Sequence, residues 1–271
     1  MSIYAATDSS NRQQQALEFI LSSEHVRKEK AKIQKNSFII VAKAKKLLRK
    51  IGLFNSAKNF INRTNWWRSH HDNLATKWGT DVAGGVYFYQ SFPMLNIKGN
   101  RPTDLRIKTY GLYDVLDKSM NVLDIGSNVG FFDMTIAEHV NSITGIEYDK
   151  DFADIAAGTA KILGLDNVTF INADANQWLK NNMNNRYSLI LSFAVHCWLN
   201  VKAEDYAQII SELLLPRGFL VFESHGIGDG EEFTAAFLKH GLKKLRGGTA
   251  DNLDPAPNYN RMWAVFHKPG A

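Results

Sequence analysis

The chain has a single cysteine, Cys197. That excludes an intramolecular disulfide and makes a reducing, cytoplasmic setting the plain expectation. Long apolar runs are missing as well. "FIIVA" at 38–42 is far short of the roughly 20 residues a helix needs to cross a bilayer. "MSIYAATDSSNRQQQ" at the start is polar where a secretory leader needs an apolar centre. A soluble or peripheral protein is therefore expected. There is no internal repeat and no low-complexity tract. Acids are scarce in one place: between Arg27 and Lys58 eleven Lys and Arg stand against Glu29 alone, a local charge of +10 in a chain whose net charge is +5. The basic balance thus belongs to an appendage, while the body is acidic. What is present, 271 residues of which 45% are hydrophobic, suffices for one sizeable globular domain plus that appendage.

The appendage reads as helical. Val41, Ala44, Leu47, Leu48, Ile51 and Phe54 fall on one face of a helix, and Lys43, Lys45, Lys46, Arg49 and Lys50 mostly on the others. Turn residues and the adjacent Trp66 and Trp67 mark a change of element beyond it. We divide the chain into a basic helical N-terminal extension, 1–80, and a body, 81–271. Three roles fit the extension: a solvated lid, an electrostatic footprint for RNA, or an amphipathic helix resting on an anionic membrane surface. No aromatic-interleaved strand or recognisable RNA-binding module accompanies it, which makes nucleic acid the weaker reading.

From about residue 120 the pattern alternates. Strand-like "NVLDIG", "SITGIEY", "VTFINAD", "YSLILSF" and "GFLVFES" are separated by helix-like segments. One of these, "DFADIAAGTAKILG", ends on Gly164, where a C-terminal capping glycine belongs. "LKKLR" and "RMWAVFHK" close the chain as strands. Short apolar strands alternating with helices of about a dozen residues indicate an α/β fold: a mainly parallel sheet covered by helices on both faces.

"VLDIGSNVGFF", Val122 to Phe132, then carries the ligand question. It is a strand, an acid and a glycine loop opening a helix, the place where α/β sheets bind nucleotides. The dinucleotide pattern G-x-G-x-x-G fails, because Asn128 and Phe131 stand where its second and third glycines belong. Asp124 would repel a pyrophosphate but can orient an ammonium group or hydroxyls. The loop fits a nucleoside without phosphate.

The stretch resembles the first motif of class I S-adenosylmethionine-dependent methyltransferases, and the likeness extends over about 105–267. Glu147 ends the second strand, 23 residues after Asp124; Asp174 ends the third; "LLLPRGFLVFE" resembles the family's Leu-x-Pro-Gly-Gly entry to strand five, with Arg217 in place of one glycine. The resemblance implies a Rossmann-like methyltransferase fold with seven strands and S-adenosylmethionine as cofactor. It gives Gly126, Ser127, Asn128, Gly130 and Phe131 to the loop around the donor, Glu147 to its ribose hydroxyls and Tyr148 to the adenine face. Asp174 and Ala175 fall to the adenine edge, and Ser192 and Phe193 to the region of the methyl group. Arg101, Arg106 and Tyr110, with Gln90, become candidates for the donor's carboxylate. Taken alone, Asp174 reads equally well as an N-cap.

On the acceptor side, "SFAVHCWLN" and "FESHGIGD" follow strands four and five. His196, Glu223 and His225 are expected to converge there, with His196 as the base that removes a hydroxyl proton. No metal site is expected of these scattered residues. Cys197 reads as a small buried thiol. The Asp/Asn-Pro-Pro-Tyr/Phe and Pro-Cys motifs of nucleic-acid base methylation are missing. "AKKLLRKIGLFNSAKNF" loosely resembles segments of bacterial polysaccharide-assembly enzymes and points to a glycan or small hydroxylated metabolite as acceptor. An RNA methyltransferase and a non-catalytic cofactor-binding protein that recruits a partner remain the alternatives.

Overall fold

The computed structural model describes residues 12–20, 22–23, 88–95, 97, 99–250 and 261–270. The basic segment 27–58, and the boundary between extension and body at 80, lie outside the described residues. Residues 12–20 are helical. Ala16 and Ile20 there are buried in one cluster with Phe92, Phe131 and Ile155. Among the described residues no helix is long and apolar enough to cross a membrane.

A short parallel pair, β1 (Phe88–Gln90) and β2 (Gly99–Arg101), precedes helix α1 (Thr103–Thr109). The body then alternates through β3 (Asn121–Ile125), α2 (Phe131–Ile136), β4 (Ser142–Glu147), α3 (Lys150–Leu163), β5 (Val168–Asn172), α4 (Ala175–Asn181) and β6 (Tyr187–Phe193). It continues through the one-turn α5 (His196–Leu199), α6 (Ala203–Leu213), β7 (Leu214–Glu223), α7 (Ile227–Lys239), β8 (Lys243–Thr249) and β9 (Met262–His267). The seven-stranded sheet runs β5-β4-β3-β6-β7-β9-β8. It is parallel except for β9, which pairs antiparallel with both β7 and β8. Strand order reverses between β3 and β6, and the crevice that opens there, beyond the strand ends, is where such sheets bind ligands.

Local chemistry explains the boundaries. Asp149 caps α3 by accepting from the backbone N–H groups of Asp151 and Phe152. Gly164 ends the same helix in the left-handed conformation that a glycine adopts without strain. Arg217 occupies that conformation too, at φ 66°, within the first residues of β7, where the sequence pattern calls for glycine. A left-handed residue with a side chain costs about 1–2 kcal/mol. Arg217→Gly is therefore expected to leave stability unchanged or raise it by up to about 1 kcal/mol, after glycine's own entropy cost. A loss of that size in urea unfolding would contradict this account.

The two sheet faces differ, and the difference positions the site. Leu123, Ile125, Ile190, Leu220 and Phe222 point to the face covered by α6 and α7. Val122, Leu189, Leu191, Val221 and Val265 point to the face of α1 and α2. By strand alternation, Asp124 and Glu223 fall on the second face.

Candidate active site

The loop after β3 is held by its own backbone. Gly126 and Ser127 both donate to the Ile146 carbonyl, at 2.8 and 3.0 Å, and Gly130 donates to Ser127. Gly126 and Gly130 have φ of 81° and 70°. A Cβ at Gly126 would stand 2.7 Å from Val195 Cγ2, and one at Gly130 2.2 Å from the Phe170 ring. Only glycine fits either position. Asn128 donates its backbone N–H to Glu147 Oε2 at 2.8 Å, and Asp149 donates to Oε1, which draws the acid at the end of β4 against the loop. Ser127 Oγ is buried without a hydrogen-bond partner. Phe131 turns its ring away, stacked on Phe92 at 4.7 Å, so its backbone alone borders the loop. Tyr148, beside Glu147, is 78% exposed. Asp174 caps α4 by accepting from the Gln177 N–H, and Ala175 behind it is buried.

Beneath the loop lies a dry polar network. Asp124 is buried at the end of β3, and Asp133 is buried in the first turn of α2. The two carboxyl groups lie close enough to act on one another. Burial is the main cause that pushes Asp124 up to about 7, and burial together with the charge of Asp124 holds Asp133 well above the usual carboxylate range. Across the same face, Glu223 is fully buried among cations. Oε1 takes Arg101 at 2.7 Å and Arg261 at 3.1 Å; Oε2 takes Arg106 at 3.0 Å and the Tyr110 hydroxyl. Burial alone would raise the Glu223 carboxyl, but Arg106 and Arg101 lead the groups that pull it down to about 2. The Arg106 guanidinium lies over the Phe193 ring at 4.6 Å and acts electrostatically on both Asp124 and Glu223.

This arrangement corrects part of the reading from sequence. Glu223 does not converge with His196 and His225: it is caged by arginines on the α1–α2 face. Phe222, the next residue, turns to the other face and packs against His196, ring centroids 5.1 Å apart. Arg101, Arg106 and Tyr110 are correspondingly committed to Glu223. Ser192 is fully buried, with its Oγ 2.8 Å from the Tyr206 hydroxyl of α6. Phe193 packs beneath Arg106. Cys197 is exposed rather than buried, its thiol donating to the Ala194 carbonyl at 3.3 Å. In the single turn of α5, His196 and Leu199 face inward, which leaves Cys197 and Trp198 outside.

His196 and His225 are brought together by a residue the sequence reading passed over. Asp229, in the first turn of α7, places Oδ2 2.5 Å from His196 Nε2 and accepts the His225 backbone N–H at 3.0 Å. Its Oδ1 accepts the Gly226 N–H at 2.7 Å. An acid three positions after Gly226 is a helix-start signal that could have revealed it. Since Asp229 accepts at Nε2, the proton sits there and Nδ1 is left as an acceptor, buried with no partner. Burial, the largest cause, lowers the His196 pKa and keeps the ring neutral. Partial burial pushes Asp229 up, but the bonds from His196, His225 and Gly226 outweigh it and hold the carboxyl low. His196, Cys197, Asn200, Lys202, Asp229 and Phe233 border an open cleft of about 410 Å³. Val195, the residue before His196, is the one that covers Gly126, so cleft and loop adjoin. Ala194 and Asn200 flank this segment at φ 53° and 45°, strain of the kind that collects at functional sites. Among the described residues no three His, Cys, Asp or Glu side chains are grouped to hold a metal ion.

Comparison with known proteins agrees with the geometry. Residues 116–251 match the family model described as a methyltransferase domain. The release factor glutamine methyltransferase of Aliivibrio fischeri is 24% identical over 173 residues, 54% of this chain and 60% of that protein. The chain thus spans about three fifths of that relative's length. Among solved structures, the N-methyltransferase NodS of Bradyrhizobium japonicum WM9, in complex with S-adenosyl-L-homocysteine, superposes with a TM-score of 0.50 at 17% identity, over 62% of this chain and 89% of that one. A protein from Galdieria sulphuraria described as a sarcosine dimethylglycine methyltransferase gives 0.50 at 14%, over 62% and 85%. At such identities the structural likeness shows the fold. The family match, running from before β3 to beyond β8, shows the rest: the chain belongs to the methyltransferase-domain family.

Proposed function

We propose that this enzyme methylates a hydroxyl group of a glycan or small hydroxylated metabolite, with His196 as the base. The observation that carries the reading is the His196–Asp229 contact in the wall of a cleft, one residue from the side chain that covers the donor loop. The residues present fit the donor. Two glycines leave no room for side chains, Ser127 Oγ is an orphaned buried hydroxyl, and Glu147 and Tyr148 stand at the loop mouth. Gly126, Ser127, Asn128 and Gly130 would hold its methionine and ribose portions, with Glu147 on the ribose hydroxyls, Tyr148 on the adenine face, and Asp174 and Ala175 at the adenine edge. When bound, the donor supplies a methyl group already activated by a sulfonium, so the chain's main task is alignment, worth about 7–11 kcal/mol. Asp229 holds the ring of His196 through Nε2–H and stabilises the imidazolium that forms, and Nδ1 takes the acceptor's hydroxyl proton once entry of the acceptor uncovers that buried atom. The cleft's opening to solvent suits a polar, hydroxylated acceptor, and Lys202 gives its rim a positive charge.

His196→Asn is expected to lower kcat by about 10²–10⁴ and to leave donor affinity unchanged. Because the base works unprotonated and its pKa is lowered, kcat at saturating donor and acceptor should hold at pH 6.5 and fall only below it; a limb above 7 would argue against His196. The acceptor class is tested by incubating the full chain with methyl-labelled donor and free glycans, lipid-linked glycans, hydroxylated metabolites or RNA. Label in the first three supports the reading, and label in RNA alone overturns it. The basic segment 27–58 serves, in this reading, to rest the enzyme on an anionic membrane surface beside its acceptor. Its charge of +10 supports this, and sedimentation with anionic vesicles should be lost on deleting residues 1–60.

A further inference from the structure

Asp133 has no part in the reaction as described, yet its placement is costly. It sits in the first turn of α2, fully buried, and no N–H or O–H group among the described residues reaches either carboxylate oxygen. The neighbour that acts on it is the buried Asp124. Two carboxyl groups hydrogen-bond only if one of them keeps its proton, and two bare carboxylates in a dry site repel strongly. The charged and titratable groups facing the pair are few. Arg106 of α1 attracts the ionised form of Asp124; Glu147 of β4 opposes it; Tyr206 of α6 lies on the far side and is neutral. One arginine, already committed to Glu223, does not relieve two acids.

We infer that Asp133 is a positioning residue for the methyl donor: it shares one proton with Asp124 in the free protein, and uptake of the cationic donor expels that proton to solvent. The donor's positive charge takes over the proton's place in the electrostatic balance, and Asp124 becomes the carboxylate that faces the loop. Binding is then linked to pH, because the free form carries a proton that the bound form lacks. Affinity weakens as pH falls through the range where the pair takes up its proton, and is level above it.

The inference rests on the donor assignment, and its test separates the two. Full-length protein is titrated with S-adenosylmethionine by calorimetry at pH 6.3, in phosphate and in bis-Tris, whose ionisation heats differ. At that pH the donor's own amino group stays protonated, so proton exchange reports on the protein. We expect release of about one proton per donor, and a Kd that rises as pH falls. In Asp133→Asn the amide donates to Asp124 and no proton is shared; release should fall to near zero and Kd should become flat between pH 5.5 and 7.5. A purely structural Asp133 would lower Tm in this variant but leave the exchange intact, and that result overturns the inference. Equal heats in the two buffers for the unmodified protein overturn it as well, whether or not the variant folds. Absence of any binding at pH 8 would count against the donor assignment itself.

Discussion

Glu223→Gln is expected to lower the unfolding free energy by about 3–5 kcal/mol, the usual effect of breaking a buried ion pair from one side. The size follows from what is left behind. Arg101, Arg106 and Arg261 all bond to this one carboxylate, and glutamine keeps the volume while removing the charge that justifies their burial. Arg106 would retain only its attraction to Asp124, and the arginines would repel one another across a desolvated site. Tyr110→Phe provides a graded comparison. It removes a single hydroxyl donor to the same carboxylate and is expected to lose about 1.5–3 kcal/mol. Urea unfolding of the two variants should rank Glu223→Gln as the more damaging. The effect has a defined pH range. Since Glu223 titrates at about 2 in the folded protein, below the ordinary glutamate range, its contribution is full above about pH 4.5 and is lost as pH falls through 2. The gap between variant and unmodified protein should therefore be constant from pH 5 to 8 and close in strong acid. A variant as stable as the unmodified protein at pH 7 would mean that the arginines find other anions.

The second large effect is at Gly130. Gly130→Ala forces a side chain into φ 70° and puts its Cβ 2.2 Å from the Phe170 ring and 3.0 Å from Ala156 Cβ. Left-handed strain costs about 1–2 kcal/mol and overpacking about 1–3. The loop has a cheaper escape, which is to move away from β5. That movement would pull Asn128 off Glu147 and open the donor pocket. We therefore expect donor binding to fall below detection by calorimetry, with Tm lowered moderately. Gly241→Ala isolates the backbone contribution, since Gly241 has φ 86° and nothing within 4 Å of its Cβ. It should lose only the strain and bind donor normally. If Gly130→Ala binds donor as well as Gly241→Ala does, the loop is not the donor's seat.

Both effects depend on which features were legible along the chain. The alternation of strands and helices, the glycine loop, the acid at the end of each early strand and the caps at Asp149 and Gly164 are local facts. They arise from side-chain periodicity, from the space a Cβ needs and from hydrogen bonds between near neighbours, so the sequence by itself determined the α/β class, the seven strands and the position of the glycine loop. The partners of individual charges were not legible in this way. Glu223 looked like a companion of His196 because both follow strands on the same edge. Only the sheet, with its two-residue alternation, decided that Phe222 faces the histidine and Glu223 faces three arginines. Arg261 lies 38 residues from Glu223, Asp229 lies 33 from His196, and Arg106 lies 117 from the glutamate it neutralises; no local pattern records such pairings. Asp133 shows the same division within a single turn. Its spacing after Gly130 made it an ordinary acid near a helix start, and burial against Asp124 made it a proton-holding partner. The tertiary structure decided what surrounds each ionisable group, because charge pairing in a dry interior depends on distance through space and solvent exclusion, neither of which is a property of neighbouring residues.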